Sequence, residues 1–255
     1  MTNKEMLCTA LKQSALELNC TVDDLTGGKS KAVISSTAEG ARKYLSLPFY
    51  CQLVSYGSGI VASVNEEIYA DAKAYIEKYA PEHCFETPNM LVLQSALERR
   101  GMSACFMAEY WLCDTDAIRP LDCGYELRLL TAENFAPLYT PQWSNALCEK
   151  RKELDVLGIG AYDGEKLVGL AGCSADCESM WQIGVDVLPE YRRRGIASAV
   201  TSRLAAEIMA RGKVPFYCCA WSNVASARNA IRAGFRPAWV ELTAKSAEYT
   251  ADMNK

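Results

Sequence analysis

One stretch limits what this chain can fold into more than any other: Val185-Asp186-Val187-Leu188-Pro189-Glu190-Tyr191-Arg192-Arg193-Arg194-Gly195-Ile196-Ala197. An apolar, strand-like run stops at Pro189. Three arginines and a glycine follow, and a helical pattern starts at once. Ile196, Val200, Leu204 and Ile208 recur every four residues, and Gly212 stands where a C-terminal cap belongs. A strand that feeds a cationic, glycine-containing loop into a helix N-terminus makes an anion site. The first N–H groups of a helix have no partner within it, and the helix dipole favours negative charge there. The loop has neither the G-x-x-x-x-G-K-S/T of a P-loop nor the three glycines of a dinucleotide fold. A solvated basic turn is the plain alternative.

A second signal lies downstream. Val214 to Trp221 reads as a strand rich in aromatic residues, Ser222-Asn223 is a helix N-cap pair, and the helix that follows closes on Gly234-Phe235. With both signals in order, the segment Arg192-Arg193-Arg194-Gly195-Ile196-Ala197 resembles the Gln/Arg-x-x-Gly-x-Gly/Ala pyrophosphate loop of the GNAT N-acetyltransferases. That family also often shows an Asn after its fifth strand and a Gly-Phe at the spacing of Asn223 to Gly234-Phe235.

The resemblance covers residues 125–243, about half the chain, and implies a cofactor site. In the family, two neighbouring strands splay apart and acetyl-CoA enters the gap. By match, the backbone of Val185, Asp186 and Val187 pairs with the pantetheine amides. The pyrophosphate rests on the amides of residues 193–198, so Gly195, Ile196, Ala197 and Ser198 hold it, with Arg192, Arg193 and Arg194 as counter-charges. Asn223 faces the pantetheine arm. Ser226 and Asn229, one helical turn apart, either line that same face or stand as polar positions on an exposed one.

The sequence also departs from the family. Ala230 stands where many members carry a tyrosine that protonates the leaving thiolate, and Trp181 stands near the place of a glutamate base. Two substitutes are candidates for catalysis. Glu178, just before the strand at Met180, would draw a proton from the acceptor through water, and Tyr217 would turn its hydroxyl toward the sulfur. Each also has a plain reading, Glu178 as a solvated turn residue and Tyr217 as a core aromatic.

The remaining residues exclude several functions. Net charge is −4, which argues against a nucleic-acid or anionic-membrane partner despite the local arginines. No apolar run approaches a membrane span, and Met1-Thr2-Asn3-Lys4-Glu5 does not open a secretory signal, so a cytoplasmic location is expected. The twelve cysteines are scattered with no C-x-x-C pair, and His83 is the only histidine. They read as reduced, small hydrophobes, with neither a metal nor a disulfide framework expected.

The expected fold is mixed α/β: a mainly antiparallel GNAT-like sheet flanked by helices at 121–255, preceded at 1–120 by a smaller α+β domain, either unrelated or a degenerate GNAT-like half with a similar hairpin–helix–strand order. In the first half, Leu7, Leu11, Ala15 and Leu18 predict a helix. Phe49–Ser55 and Ile60–Val64 predict a hairpin, 66–79 a helix, Thr87-Pro88 a helix start, and Met102–Leu112 a strand holding Glu109. The polar, proline-containing stretch 114–124 marks the boundary. In the second half, Tyr125–Leu130 predicts a strand and Thr131 a helix cap, and Asp163-Gly164 joins two strands as a hairpin. Gly27-Gly28-Lys29-Ser30 reads as a turn. The leading functional expectation is acetyl transfer from acetyl-CoA to a small amine, with the N-terminal domain walling the acceptor. The alternative is a non-catalytic acyl-CoA-binding or regulatory module, motivated by Ala230.

Overall fold

A computed structural model describes residues 1–255. In chain order it holds α1 (Asn3–Leu18), α2 (Val22–Thr26), β1 (Lys31–Ile34), β2 (Cys51–Ser55), β3 (Val61–Val64), α3 (Tyr69–Lys78), α4 (Thr87–Glu98), β4 (Met102–Cys113), β5 (Glu126–Thr131) and β6 (Asp155–Asp163). It continues with β7 (Lys166–Ser174), β8 (Met180–Val187), α5 (Ile196–Ala210), β9 (Val214–Ala220), α6 (Val224–Ala233), β10 (Phe235–Ser246) and α7 (Ala247–Met253). Two compact units divide it. One is Ala10–Tyr110 with Ala238–Lys255, and the other is Met1–Thr9 with Trp111–Pro237. The units interleave along the chain, unlike two contiguous halves meeting near residue 120. Strand pairing accounts for the exchange, because residues 240–243 of β10 pair antiparallel with residues 52–55 of β2. Both units are mixed α/β, with mainly antiparallel sheets flanked by helices.

In the unit of Ala10–Tyr110 and Ala238–Lys255, strands run in the order β1-β3-β2-β10. Only β1 with β3 is parallel. Every residue of β2 and β3 is buried, and Leu53, Ile60, Ile68, Ile76, Leu93 and Leu97 form the core beneath α3 and α4. The hairpin turns at Gly57, whose φ of +92° suits glycine. Helix α4 begins at Thr87 itself, with Glu86 preceding it and no side-chain cap, so Thr87 is inside the helix rather than its cap.

A charged cluster is sealed inside this unit. Arg42 donates to Glu17 through Nε (3.0 Å) and Nη2 (2.7 Å), and to Glu241 through Nη2 at 3.0 Å. Glu241 also accepts from Gln52 and from the Trp239 indole. The Trp239 ring stacks between Tyr56 and Tyr110, with centroids 5.4 and 4.8 Å away. Removing one partner from such a pair costs about 3–5 kcal/mol, since the other charge is then buried alone.

In the other unit the strand order is β9-β8-β7-β6-β5, with β8 and β9 parallel and the rest antiparallel. Helix α5 covers one face. Its Ile196, Val200, Leu204 and Ile208 are fully buried, each worth about 1.5–3 kcal/mol of transfer free energy. On the other face, the helix expected after Thr131 is a series of short 3₁₀ turns at Ala132–Asn134, Ala136–Leu138, Pro141–Trp143 and Glu149–Leu154. Pro137 and Pro141 lack the N–H groups that a continuous helix needs. This segment lies so close to the sheet that a Cβ on Gly172 would strike the Ala146 carbonyl, and one on Gly184 the Asn145 carbonyl.

Candidate functional site

The site begins where two strands part. Parallel pairing of β8 with β9 runs from Met180↔Val214 to Ile183↔Tyr217 and ends there. On its other edge, β8 stays paired with β7 as far as Val187. Residues 184–187 therefore have an edge free of strand pairing, on which the Val187 carbonyl accepts from Arg192 Nε at 3.1 Å. Alternate residues of a strand send their backbone groups to opposite neighbours. The Leu188 amide bonds to the Val168 carbonyl of β7, which puts the Asp186 backbone on the β7 side and those of Val185 and Val187 on the open side.

Beyond the open edge, the loop enters α5. Gly195 precedes the helix at φ +83°, with no side-chain cap, so the first α5 amides are left for a ligand or water. Arg193 has φ +63°, a left-handed conformation uncommon for a residue with a side chain. Such strained backbone clusters at ligand-binding loops, where successive amides form anion-binding concavities. A cavity of about 360 Å³ sits there, lined by Val187, Tyr191, Arg192, Arg193, Gly195, Ile196, Ala197, Ser198, Ala225, Arg228, Asn229 and Arg232.

The structure thus brings together Val187, Arg192, Arg193, Gly195, Ile196, Ala197, Ser198 and Asn229. Val185 lies on the adjoining free edge. Asn229 also ties the two helices together, because its Oδ1 accepts from the Ser198 hydroxyl (3.0 Å) and its Nδ2 donates to Thr201 (3.3 Å).

Four expected residues are placed otherwise. Arg194 turns away to the Tyr125 hydroxyl (2.8 Å) and the Glu190 carbonyl (3.2 Å). The Tyr125 contact raises its already high pKa. The Asp186 carboxylate accepts from the Asn145 and Ala146 amides, at 2.9 and 3.0 Å, and from Asn145 Nδ2. It therefore anchors the segment lying over the sheet. Asn223 caps α6 by accepting from the Ser226 amide at 3.1 Å. Ser226 spends its hydroxyl on Tyr217, 2.7 Å away.

The two catalytic candidates also lie off the cavity. Tyr217 is buried against Phe235 with its hydroxyl held by Ser226, and burial raises its pKa. Glu178 is exposed and precedes β8. At about 3.3 Å per residue it lies roughly 16 Å along the strand direction from the last paired position, Ile183. Of the other singled-out groups, His83 is exposed and pairs with Glu86, which raises its pKa, and Glu109 is half-buried, with its carboxyl raised by burial.

Sequence reasoning missed Tyr191, Ala225, Arg228 and Arg232 as lining residues. The available signal was the i, i+4 spacing of the two arginines on the helix capped by Asn223. Tyr191 is held in place by its hydroxyl bond to Asp163 (2.9 Å), and Arg194 lies 5.2 Å over its ring.

A family model described as GNAT acetyltransferase matches residues 108–238. No curated protein matches the chain. Among solved structures, the chain is similar to a putative acetyltransferase from the GNAT family of Novosphingobium aromaticivorans. Identity is 20%, 56% of this chain and 66% of that one are covered, just under two thirds of the relative's length, and the TM-score is 0.40. It is also similar to a GCN5-related N-acetyltransferase from Sphaerobacter thermophilus, at 16% identity, 74% and 72% coverage and a TM-score of 0.46. A third similar structure is the aminoglycoside N-acetyltransferase AAC(6')-Iy in complex with CoA, at 18% identity, 47% and 93% coverage and a TM-score of 0.36.

Proposed function

The chain belongs to the GNAT acetyltransferases by its match over residues 108–238, and from that premise we propose that it transfers an acetyl group from acetyl-CoA to the amine of a small acceptor. The observation that carries the reading is the end of β8–β9 pairing at Ile183↔Tyr217 beside a cavity of about 360 Å³ lined with arginines. A strand edge with free amides, followed by uncapped amides at a helix start, fits a ligand that has an amide-bearing arm and a pyrophosphate.

The residues present suit that ligand. Val185 offers its backbone groups and Val187 its amide to the arm, and the amides at the start of α5 hold its pyrophosphate with Arg192 and Arg193. A thioester is already activated, so the chain has mainly to position the amine and stabilise developing negative charge. Ala230 supplies no hydroxyl, and Tyr217 shares its own with Ser226. Solvent at the open edge is then the proton carrier, taking the proton from the amine and returning one to the departing thiolate.

The same observations favour a second reading, a non-catalytic acyl-CoA-binding module. A screen of an amine library, following free-thiol release from acetyl-CoA with a no-acceptor control, separates the two. Acceptor-dependent thiol release supports transfer. Tight calorimetric binding of acetyl-CoA with no release across the library supports the binding module, and no binding refutes both. No helix is long and apolar enough to cross a membrane.

A further inference from the structure

The cavity holds more positive charge than a pyrophosphate can balance. Four guanidinium groups line it, Arg192 and Arg193 from the loop and Arg228 and Arg232 from α6, and no carboxylate does. A pyrophosphate diester carries two negative charges. Five other arginines of this unit find anionic partners elsewhere: Arg128 with Glu126, Arg151 with Asp176, Arg203 and Arg211 with Glu207, and Arg236 with Asp114. Arg228 and Arg232 form no ion pair, although like charges four apart on a helix repel by about 0.2–0.5 kcal/mol. Arg232 Nη2 lies 3.8 Å from where a Cβ on Gly195 would stand, so this guanidinium faces the start of α5. The two α6 arginines are about 6 Å apart along the helix axis and present two forks to one space.

We propose that Arg228 and Arg232 recognise a phosphate monoester on the cosubstrate, the 3′-phosphate of coenzyme A, and so make the site discriminate CoA from dephospho-CoA. This rests on the acetyl-CoA reading of the same cavity. A monoester carries close to two charges at neutral pH and three acceptor oxygens, which matches two guanidinium forks. The four cations are then balanced by four anionic charges from a single ligand. A nucleic acid suits the surface less well. The exposed residues of α6 beside the arginines include apolar Val224 and Ile231, so no basic track continues past the cavity, and the chain as a whole carries −4.

Calorimetric titration of the full chain with CoA and with dephospho-CoA tests the proposal. The wild type is expected to bind CoA roughly 10- to 100-fold more tightly, the effect of one or two charge-assisted hydrogen bonds at an exposed site. In R228Q/R232Q that ratio falls to within about threefold. In R203Q, about two turns along α5 and outside the cavity lining, it keeps the wild-type value. Equal wild-type affinities overturn this inference and leave the acetyl-CoA reading standing. Binding of neither compound overturns both. A ratio that persists in R228Q/R232Q overturns the assignment to these arginines, and so does tighter binding of a short single-stranded oligonucleotide than of CoA.

Discussion

Gly195 allows backbone strain and charge to be separated at one atom position. A Cβ added there meets only Arg232 Nη2 at 3.8 Å and Cys123 Cβ at 4.0 Å, both ordinary contacts, so the protein itself has room. What opposes Gly195→Ala is its φ of +83°, which costs a residue with a side chain about 1–2 kcal/mol. For a chain of this size that lowers the melting temperature by roughly 2–8 °C. Gly195→Asp carries a similar or smaller backbone cost, because Asp tolerates the left-handed region better. It also sets a carboxylate beside the uncapped amides and Arg232, where a phosphate is proposed to sit. At about 5 Å and an intermediate effective dielectric, each phosphate charge is repelled by about 1–3 kcal/mol. Two such charges weaken binding by roughly 30-fold or more. Thermal melts and calorimetric titration with acetyl-CoA measure both effects. The two variants should melt within a few degrees of each other, while Gly195→Asp binds at least about tenfold more weakly than Gly195→Ala. Wild-type affinity in Gly195→Asp would remove the α5 N-terminus from the site.

Gly184→Ala should lower the denaturant midpoint by the equivalent of about 1–3 kcal/mol or more without changing the slope, because its Cβ strikes the Asn145 carbonyl. Wild-type stability would mean that the segment over the sheet is loosely held. Asp155 is buried, and burial outweighs its bond from the Cys148 amide, raising its pKa to about 6. The folded chain therefore holds this proton more tightly than the unfolded chain does, so the carboxyl subtracts stability as pH rises from about 4 to about 6. Denaturation midpoints of Asp155→Asn should show that decline flattened relative to wild type, and an identical decline would refute the assignment. Tyr217→Phe removes the bond shared with Ser226, about 1 kcal/mol. Once an acceptor is found, kcat in this variant should change by less than about threefold, and a hundredfold fall at unchanged stability would make Tyr217 the proton donor after all.

The anion loop was legible because local rules decide it. A proline ends the strand, Gly195 takes the positive φ, and Ile196, Val200, Leu204 and Ile208 bury one helical face. Asn223 and Gly234 were legible for the same reason, since each caps its helix through neighbours in sequence. Long-range contacts were not legible. Nothing near Asp186 announces that its carboxylate holds residues 145 and 146, and nothing near β10 announces that its later residues pair with β2. The α6 arginines carried a weak local signal, but their meaning comes from the cavity shared with α5. The helix expected after Thr131 failed because its prolines outweighed the capping pattern that Thr131 makes with Asn134.

The buried cluster around Arg42 has a consequence for how this protein is made. Its guanidinium needs Glu17, close by in sequence, and Glu241, which the ribosome supplies only after all of Trp111–Pro237 has been synthesised. At about 5–20 residues per second, that delay is roughly 6–25 s. Through it the nascent chain carries β2 without its later neighbour β10, and an arginine with half of its final counter-charge. The unit of Ala10–Tyr110 and Ala238–Lys255 thus waits for β10 while the other is made, and in that interval the bare strand edge is open to chaperones or to another nascent chain.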